Sequence, residues 1–365
     1  MYTVVIKPTD QLPEINYHFD SILEDITSTE LLETKDKISN VDQRIWTKIR
    51  KYLNIYESPF KVLSSYLKTP VSRAYYKLLE ILIDFEITGT GNAFHIAESP
   101  GGFIQATLQV TPFFCYTVSL IDKKDYDIPV YHNSIINNSR VIIINNKNDK
   151  KWEGDIKNIS DFMYILQVLS KKEIQFITAD GGINDKGIFN NKENVHSNLI
   201  FCEILLALCC LKLDGVFVLK IFDSYKTITY DYIQLLSYLF KEVHITKPLT
   251  SRPTNSEKYL VCKFYQKERF TTALKNKLIS IFFNNKFSEH VLSNLLVTHD
   301  PDLHVLLQEH NKIISKHQIK YINEALEFIK NGHFVNSYID YSKNKSFNRL
   351  KDSLNKEWLN KYYYR

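Results

Sequence analysis

The sequence predicts an α/β fold: a doubly wound sheet over residues 66–267, with helical additions before it (1–65) and after it (268–365). Three observations predict it. Short apolar runs alternate with longer helical patterns from about 70 to 267, as strands joined by crossover helices do. Some of those runs, such as Val216–Leu219, are apolar throughout, which suits central strands buried on both faces. And 44% of the 365 residues are apolar, enough for a sizeable core.

The elements follow in order. Residues 1–60 carry patchy helical spacing: Ile22, Leu23 and Ile26, then Leu31 and Leu32, then Ile45, Ile49 and Leu53 within Arg44–Tyr56. A helix over Ser72–Leu82 turns Leu78, Leu79 and Leu82 to the core. Ala93–Ala97 is a short strand running into a glycine pair, and Gly102 opens a helix over Phe103–Val110. Strands follow at Tyr116–Ile121 and Val141–Ile144, a helix at Phe162–Leu169, and a strand at Ile174–Ala179 that ends on Asp180. Asn198–Leu213 is a long apolar helix stopped by Asp214-Gly215, and Val216–Ile221 is a buried strand. A helix at Asp231–Phe240 and strands at Val243–Thr246 and Tyr259–Phe264 close the series. Beyond it, Ser288–Leu296, Asp302–Ile314 and Ile319–Ile329 have helical spacing. The basic, aromatic tail Ser342–Arg365 reads as a solvated end helix or an RNA contact.

Bulk properties narrow the class. A net charge of +5 permits contact with a polyanion without demanding it. The five cysteines sit in apolar runs with no CxxC pair, which points to inert core thiols in a reducing compartment and to no zinc site. No charged leader precedes an apolar stretch at the start. The longest apolar run, Leu199–Leu213, contains Glu203 and Lys212 and is shorter than the ~18 residues of a membrane span, so no membrane partner is expected. With 23 Tyr, 22 Phe and 3 Trp, most rings are core, and no single ring is marked for stacking a base.

Five stretches can carry chemistry. Glu98-Ser99-Pro100-Gly101-Gly102-Phe103 lies between a strand and a helix, where ligands of doubly wound sheets bind and where free helix N–H groups suit a carboxylate-bearing cofactor. Taken alone, its glycine pair more often marks only a turn, and it is not the GxGxxG dinucleotide fingerprint. Asp180-Gly181-Gly182 puts an acid at the end of another strand, or is simply a loop. Lys220 ends a central strand, where a lysine is costly unless paired, functional or snorkelling to the rim. Ser251-Arg252-Pro253-Thr254-Asn255-Ser256-Glu257 reads as a shaped loop in which Arg252 can hold a phosphate and Glu257 a lysine; each is also an ordinary surface charge. In Ser72–Leu78, Arg73 and Lys77 are four apart on one helix face, turned to an RNA groove or to solvent.

Together these stretches resemble the FtsJ-like ribose 2′-O-methyltransferases, most closely the branch that methylates the first transcribed nucleotide of capped mRNA. The family's Lys-Asp-Lys-Glu tetrad falls on Lys77, Asp180, Lys220 and Glu257. Gly154-Asp155-Ile156, Thr178-Ala179-Asp180-Gly181-Gly182, Lys220-Ile221-Phe222-Asp223, and Lys247-Pro248 through Ser251-Arg252-Pro253 to Ser256-Glu257 look like the cap branch. The resemblance covers about 70–265, and Glu98-Ser99 is a variant of the family's cofactor loop. It implies a Rossmann-like methyltransferase sheet, S-adenosylmethionine as methyl donor, capped mRNA as substrate and no metal. Lys220 is then the general base, oriented by Asp180 and Glu257, with Lys77 beside it and Asp180 near the transferred methyl. The loop Glu98–Phe103 and Asp155 hold the cofactor, with Asp155 reading the adenine amino group and Asp122 a candidate ribose-binding acid. Arg73 and Arg252 contact RNA phosphates. Ribosomal or transfer RNA as substrate, or a non-catalytic RNA-binding subunit on the same fold, are the alternatives. Other capping or transcription proteins are candidate partners. Richness in Asn, Ile, Lys and Tyr marks an AT-rich genome, and with cap chemistry it points to a large DNA virus. The expected location is the cytoplasm (a viral factory or virion), or the nucleus for a cellular enzyme. Oligomeric state is not read.

Overall fold

The computed structural model describes the chain except residues 1, 21–27, 64–68, 122–127, 184–191, 285–286, 288–289, 332–333, 336–337, 340–343 and 365. In chain order, β1 (Tyr2–Ile6), β2 (Ile15–Asp20), α1 (Thr29–Asp36) and α2 (Gln43–Leu53) precede α3 (Ala74–Asp84). The alternating unit follows: β3 (Asn92–Ile96), α4 (Gly102–Val110), β4 (Phe114–Val118), the one-turn α5 (Asn133–Ile136), β5 (Val141–Ile143), α6 (Ile159–Leu169) and β6 (Ile174–Ala179). It continues through α7 (Lys192–Cys210), β7 (Leu211–Ile221), α8 (Thr227–Leu239), β8 (Phe240–Lys247) and β9 (Lys258–Tyr265). Then come α9 (Thr272–Asn284), β10 (Val291–Leu296), α10 (Pro301–Lys330), the short pair β11 (Phe334–Val335) and β12 (Tyr338–Ile339), and α11 (Lys345–Tyr362).

Eight strands form one sheet in the order β5-β4-β3-β6-β7-β9-β8-β1. β5, β4, β3, β6 and β7 are parallel; β9 is antiparallel to β7 and β8, and β1 to β8. The winding reverses between β3 and β6, which opens a crevice outside the strands' carboxyl ends. Alternate residues of β7 fill the two faces. Phe217, Leu219 and Ile221 pack with α6, α7 and α8, while Val218 packs with α3, α4 and α11. The doubly wound α/β expectation holds.

The expectation of purely helical additions is corrected. β1 joins the central sheet along β8, and β2 pairs with β10. Leu292, Leu295 and Leu296 have helical spacing, yet they are buried in a strand, because backbone pairing to β2 and apolar contact with α7 and α8 outweigh local pattern. Ser288, the start of that expected helix, lies outside the described residues. The stop at Asp214-Gly215 is also corrected. Leu211 already pairs with Ile174 of β6, and Asp214 takes a left-handed turn (φ +56°), so the two residues bend a strand instead of ending a helix. α7 is apolar enough over Glu193–Cys210 to match a membrane span in length, but 78% of that stretch is buried within the fold. The two helices expected at 302–329 form one, α10, whose Asp300 cap accepts from the N–H of Asp302 (2.9 Å) and Leu303 (3.3 Å).

Candidate active site

Four strand ends meet at one edge of the sheet. β3 leads into Glu98, β6 into Asp180, and Lys220 is the last residue but one of β7. β9 runs the opposite way, with Tyr259 opposite Lys220, so Glu257 just before it reaches the same edge. α3 packs on α4 and brings Lys77.

The tetrad positions pair in twos. Lys77 Nζ lies 2.7 Å and 2.9 Å from the two carboxylate oxygens of Glu257. Lys220 Nζ lies 3.2 Å from Asp180 Oδ1 and donates to the Asp180 carbonyl at 2.7 Å. The Tyr259 hydroxyl, 3.3 Å from the same Oδ1, donates to it. Burial alone would raise Glu257, but the Lys77 and Lys220 cations hold its carboxyl well below the usual range. Burial lowers Lys220, yet the carboxylates of Asp180 and Glu257 outweigh it, so Lys220 is raised and protonated at neutral pH. Lys77, expected beside Lys220, is paired with Glu257.

Buried neighbours hold these groups. Lys247 donates to the Glu257 carbonyl (2.7 Å), the Asn255 carbonyl (2.9 Å), Asn255 Oδ1 (3.0 Å) and Ser251 Oγ (3.1 Å), pinning the loop 248–257. Burial pushes it down to about 7. The Ser251 hydroxyl donates to Glu257 Oε1 at 3.1 Å. Glu203 accepts from Gly181 N–H at 3.0 Å and is raised by burial to about 8. A side chain at Gly181 would collide with it, its Cβ falling 2.2 Å from Glu203 Oε1.

The loop 98–103 departs from expectation. Ala97 (φ +55°) and Gly101 (φ +112°) turn the chain from β3 into α4. The α4 N-terminus is not open to a ligand carboxylate, because Glu98 Oε2 already accepts from Phe103 N–H (2.9 Å) and Ile104 N–H (3.4 Å). A buried acid one turn upstream fills the role that the glycine pair suggested for a cofactor. Gly102, Gly101 and Phe103 pack inward: a Cβ on Gly102 would lie 2.2 Å from Ser72 Oγ, one on Gly101 2.6 Å from Ile135, and Phe103 is fully buried. Ser99 N–H donates to Ser119 Oγ at 2.9 Å, at the end of β4. Gly154 lies over the same spot, where a Cβ would come 2.5 Å from the Ser119 carbonyl. Ser99 and Gly154, next to Asp155, thus both meet Ser119 at the end of β4. Asp155 Oδ1 accepts from Lys157 N–H at 2.9 Å, which shapes its turn. Asp122 lies outside the described residues.

Arg73 and Arg252 come together, on Glu57. Arg252 meets its two oxygens at 3.0 Å and 2.6 Å, and Arg73 lies 3.3 Å away. Burial would raise Glu57, but Arg252 and Arg73 hold it below the usual range.

The sequence model of the FtsJ-like methyltransferases matches residues 70–265, more than half of the chain. The chain belongs to this family. The FtsJ-like domain therefore spans α3 to β9 and contains every tetrad position. Three relatives are informative. Cap-specific mRNA (nucleoside-2′-O-)-methyltransferase 1 of Homo sapiens is 38% identical over 115 residues, 30% of this chain and 14% of that protein. Cap-specific mRNA (nucleoside-2′-O-)-methyltransferase 2 of Danio rerio is 28% identical over 271 residues, 68% of this chain and 36% of that protein. A protein of African swine fever virus named as a probable methyltransferase is 31% identical over 217 residues, 56% of this chain and 51% of that protein. The chain thus spans about half or less of the length of each.

Several site residues of this FtsJ-like methyltransferase escaped sequence reasoning. Glu203 had a signal, a lone acid in an apolar helix, which reads first as evidence against a membrane span. Tyr259 and Glu57 had none, since their partners lie 79 and 195 residues away.

Proposed function

We propose that the protein transfers a methyl group from S-adenosylmethionine to a ribose 2′-hydroxyl of RNA, and that its substrate is the first transcribed nucleotide of capped mRNA. The observation that carries the reading is the pair of buried ion pairs, Lys77–Glu257 and Lys220–Asp180, side by side where the crevice of an FtsJ-like sheet opens. The names of the human and zebrafish relatives favour the cap as substrate.

The donor set along the crevice suits the cofactor. Asp155 supplies an acceptor for an exocyclic amino group, and Asp180 a negative charge for a cation. Bound there, S-adenosylmethionine supplies an electrophilic methyl on a sulfonium. The chain's own part is to orient a hydroxyl and take its proton. Lys220 is the base, and it must first lose the proton that Asp180 holds on it. A cation brought beside Asp180 and the loss of water as RNA docks both favour that loss. Lys77 and Glu257 position the ribose from the other side, and alignment of the reacting atoms supplies much of the rate. No step calls for a metal.

The test is methyl transfer to one RNA sequence with and without a cap, with the modified position mapped. Transfer to the 2′-oxygen of the first nucleotide of the capped RNA alone is expected. Equal rates on both RNAs would remove the cap from the reading.

A further inference from the structure

The two terminal additions outside the family domain build a cleft with it. α2 contributes Lys48, Lys51 and Tyr52, α11 contributes Asn348, Lys351 and Asp352, and the family domain contributes Arg73 and Arg252. The cavity is about 660 Å³ and open to solvent. Lys61, on the segment after α2, completes its rim, and Lys48, Lys51 and Lys61 are exposed. Among the described residues that line it, six cations face two carboxylates, Glu57 and Asp352, so the cleft carries a positive excess. Glu57 is engaged by both arginines, which fixes them in place. The wall is also fixed. Lys351 Nζ donates to the Tyr52 carbonyl at 2.8 Å, and the Tyr52 hydroxyl donates to Asn348 Oδ1 at 3.0 Å.

Position gives the cleft its ligand. Arg73 is one helical turn from Lys77, and Arg252 is on the loop that carries Glu257. A polyanion lying in the cleft therefore runs directly into the tetrad. We propose that this cleft holds the phosphate backbone of the single-stranded RNA whose ribose sits at the tetrad, so that α2 and α11 form its walls. Phosphates are what clustered lysines and arginines bind without regard to base. Asn348 and Ser58 add hydrogen-bonding groups of the kind that meet ribose and phosphate oxygens. The inference rests on the RNA reading above and gives the additions a task.

The test is fluorescence anisotropy of a labelled RNA decamer on the full chain, beside a capped dinucleotide. The variant is Lys51→Glu with Lys61→Glu, two exposed positions that leave the wall intact. Wild type should bind the decamer more tightly than the dinucleotide. The variant should lose at least about tenfold of that affinity, and the slope of log affinity against log salt should fall by about 1.4, ~0.7 for each phosphate contact. Lys351→Ala should weaken the decamer further. Unchanged decamer affinity and salt slope in the double variant, or a decamer bound no better than the dinucleotide, would overturn the proposal. Binding is read without catalysis, so a wild type that binds RNA through the cleft but methylates none would sink the functional reading alone.

Discussion

Lys220 Nζ touches both the side chain and the carbonyl of Asp180, and the carboxylates of Asp180 and Glu257 keep its proton on. A base acts only without its proton. With Lys220 raised above an ordinary lysine by its carboxylate neighbours, its small deprotonated fraction at neutral pH grows about tenfold for each pH unit. Because kcat/KM reports ionisations of the free enzyme, it is expected to rise about tenfold per unit from pH 7 to 9. A plateau starting below pH 8 would give the proton to another group. Lys220 was legible before the structure, since a lysine ending an apolar strand demands a reason. Lys77 and Glu257 were not legible singly. Each resembles a surface charge, and what removes them from the surface is a partner 180 residues away. The pairing of Arg73 with Arg252 through Glu57 was invisible for the same reason.

Elements hold these residues at working distances, and one carboxylate joins three of them. Glu80, one turn beyond Lys77 on α3, is fully buried. Its Oε2 accepts from Leu249 N–H at 2.6 Å, and its Oε1 from Thr250 N–H and Trp358 Nε1–H, both at 3.0 Å. α3, the Glu257 loop and α11 are thereby tied together. Burial raises Glu80 to about 7 against the pull of those donors. A glutamine has one acceptor oxygen, and its amide N–H would face a donor. Glu80→Gln is expected to cost about 1–3 kcal/mol, read as a lower urea midpoint at unchanged slope. A wild-type midpoint would show that the tie holds nothing. Element types were legible where one pattern dominated, as in β6, whose bounds Ile174–Ala179 match the reading. They were misread where two patterns fit. The leucines of β10 have helical spacing, and only pairing with a strand some 270 residues away decides for a strand.

At the scale of the molecule, the order β5-β4-β3-β6-β7-β9-β8 gathers residues from four distant motifs onto one edge. The alternation of strand and helix signals foretold such an edge, because parallel strands joined by crossovers must all end on the same side. It did not foretell β1 as an eighth strand, nor the way α2 and α11 close over the family domain. Those contacts follow from tertiary burial: Trp358 and Tyr362 of α11 enter the core beside α3, and Trp46 and Ile49 of α2 pack against α10. The central claim is that the shared edge is a methyl-transfer site with Lys220 as its base. Its most direct test is transfer to capped RNA by Lys220→Ala beside wild type, with S-adenosylmethionine binding to both followed by calorimetry. Transfer should fall by at least about 10²-fold, while the cofactor still binds within about threefold of wild type. Wild-type turnover in Lys220→Ala would contradict the claim.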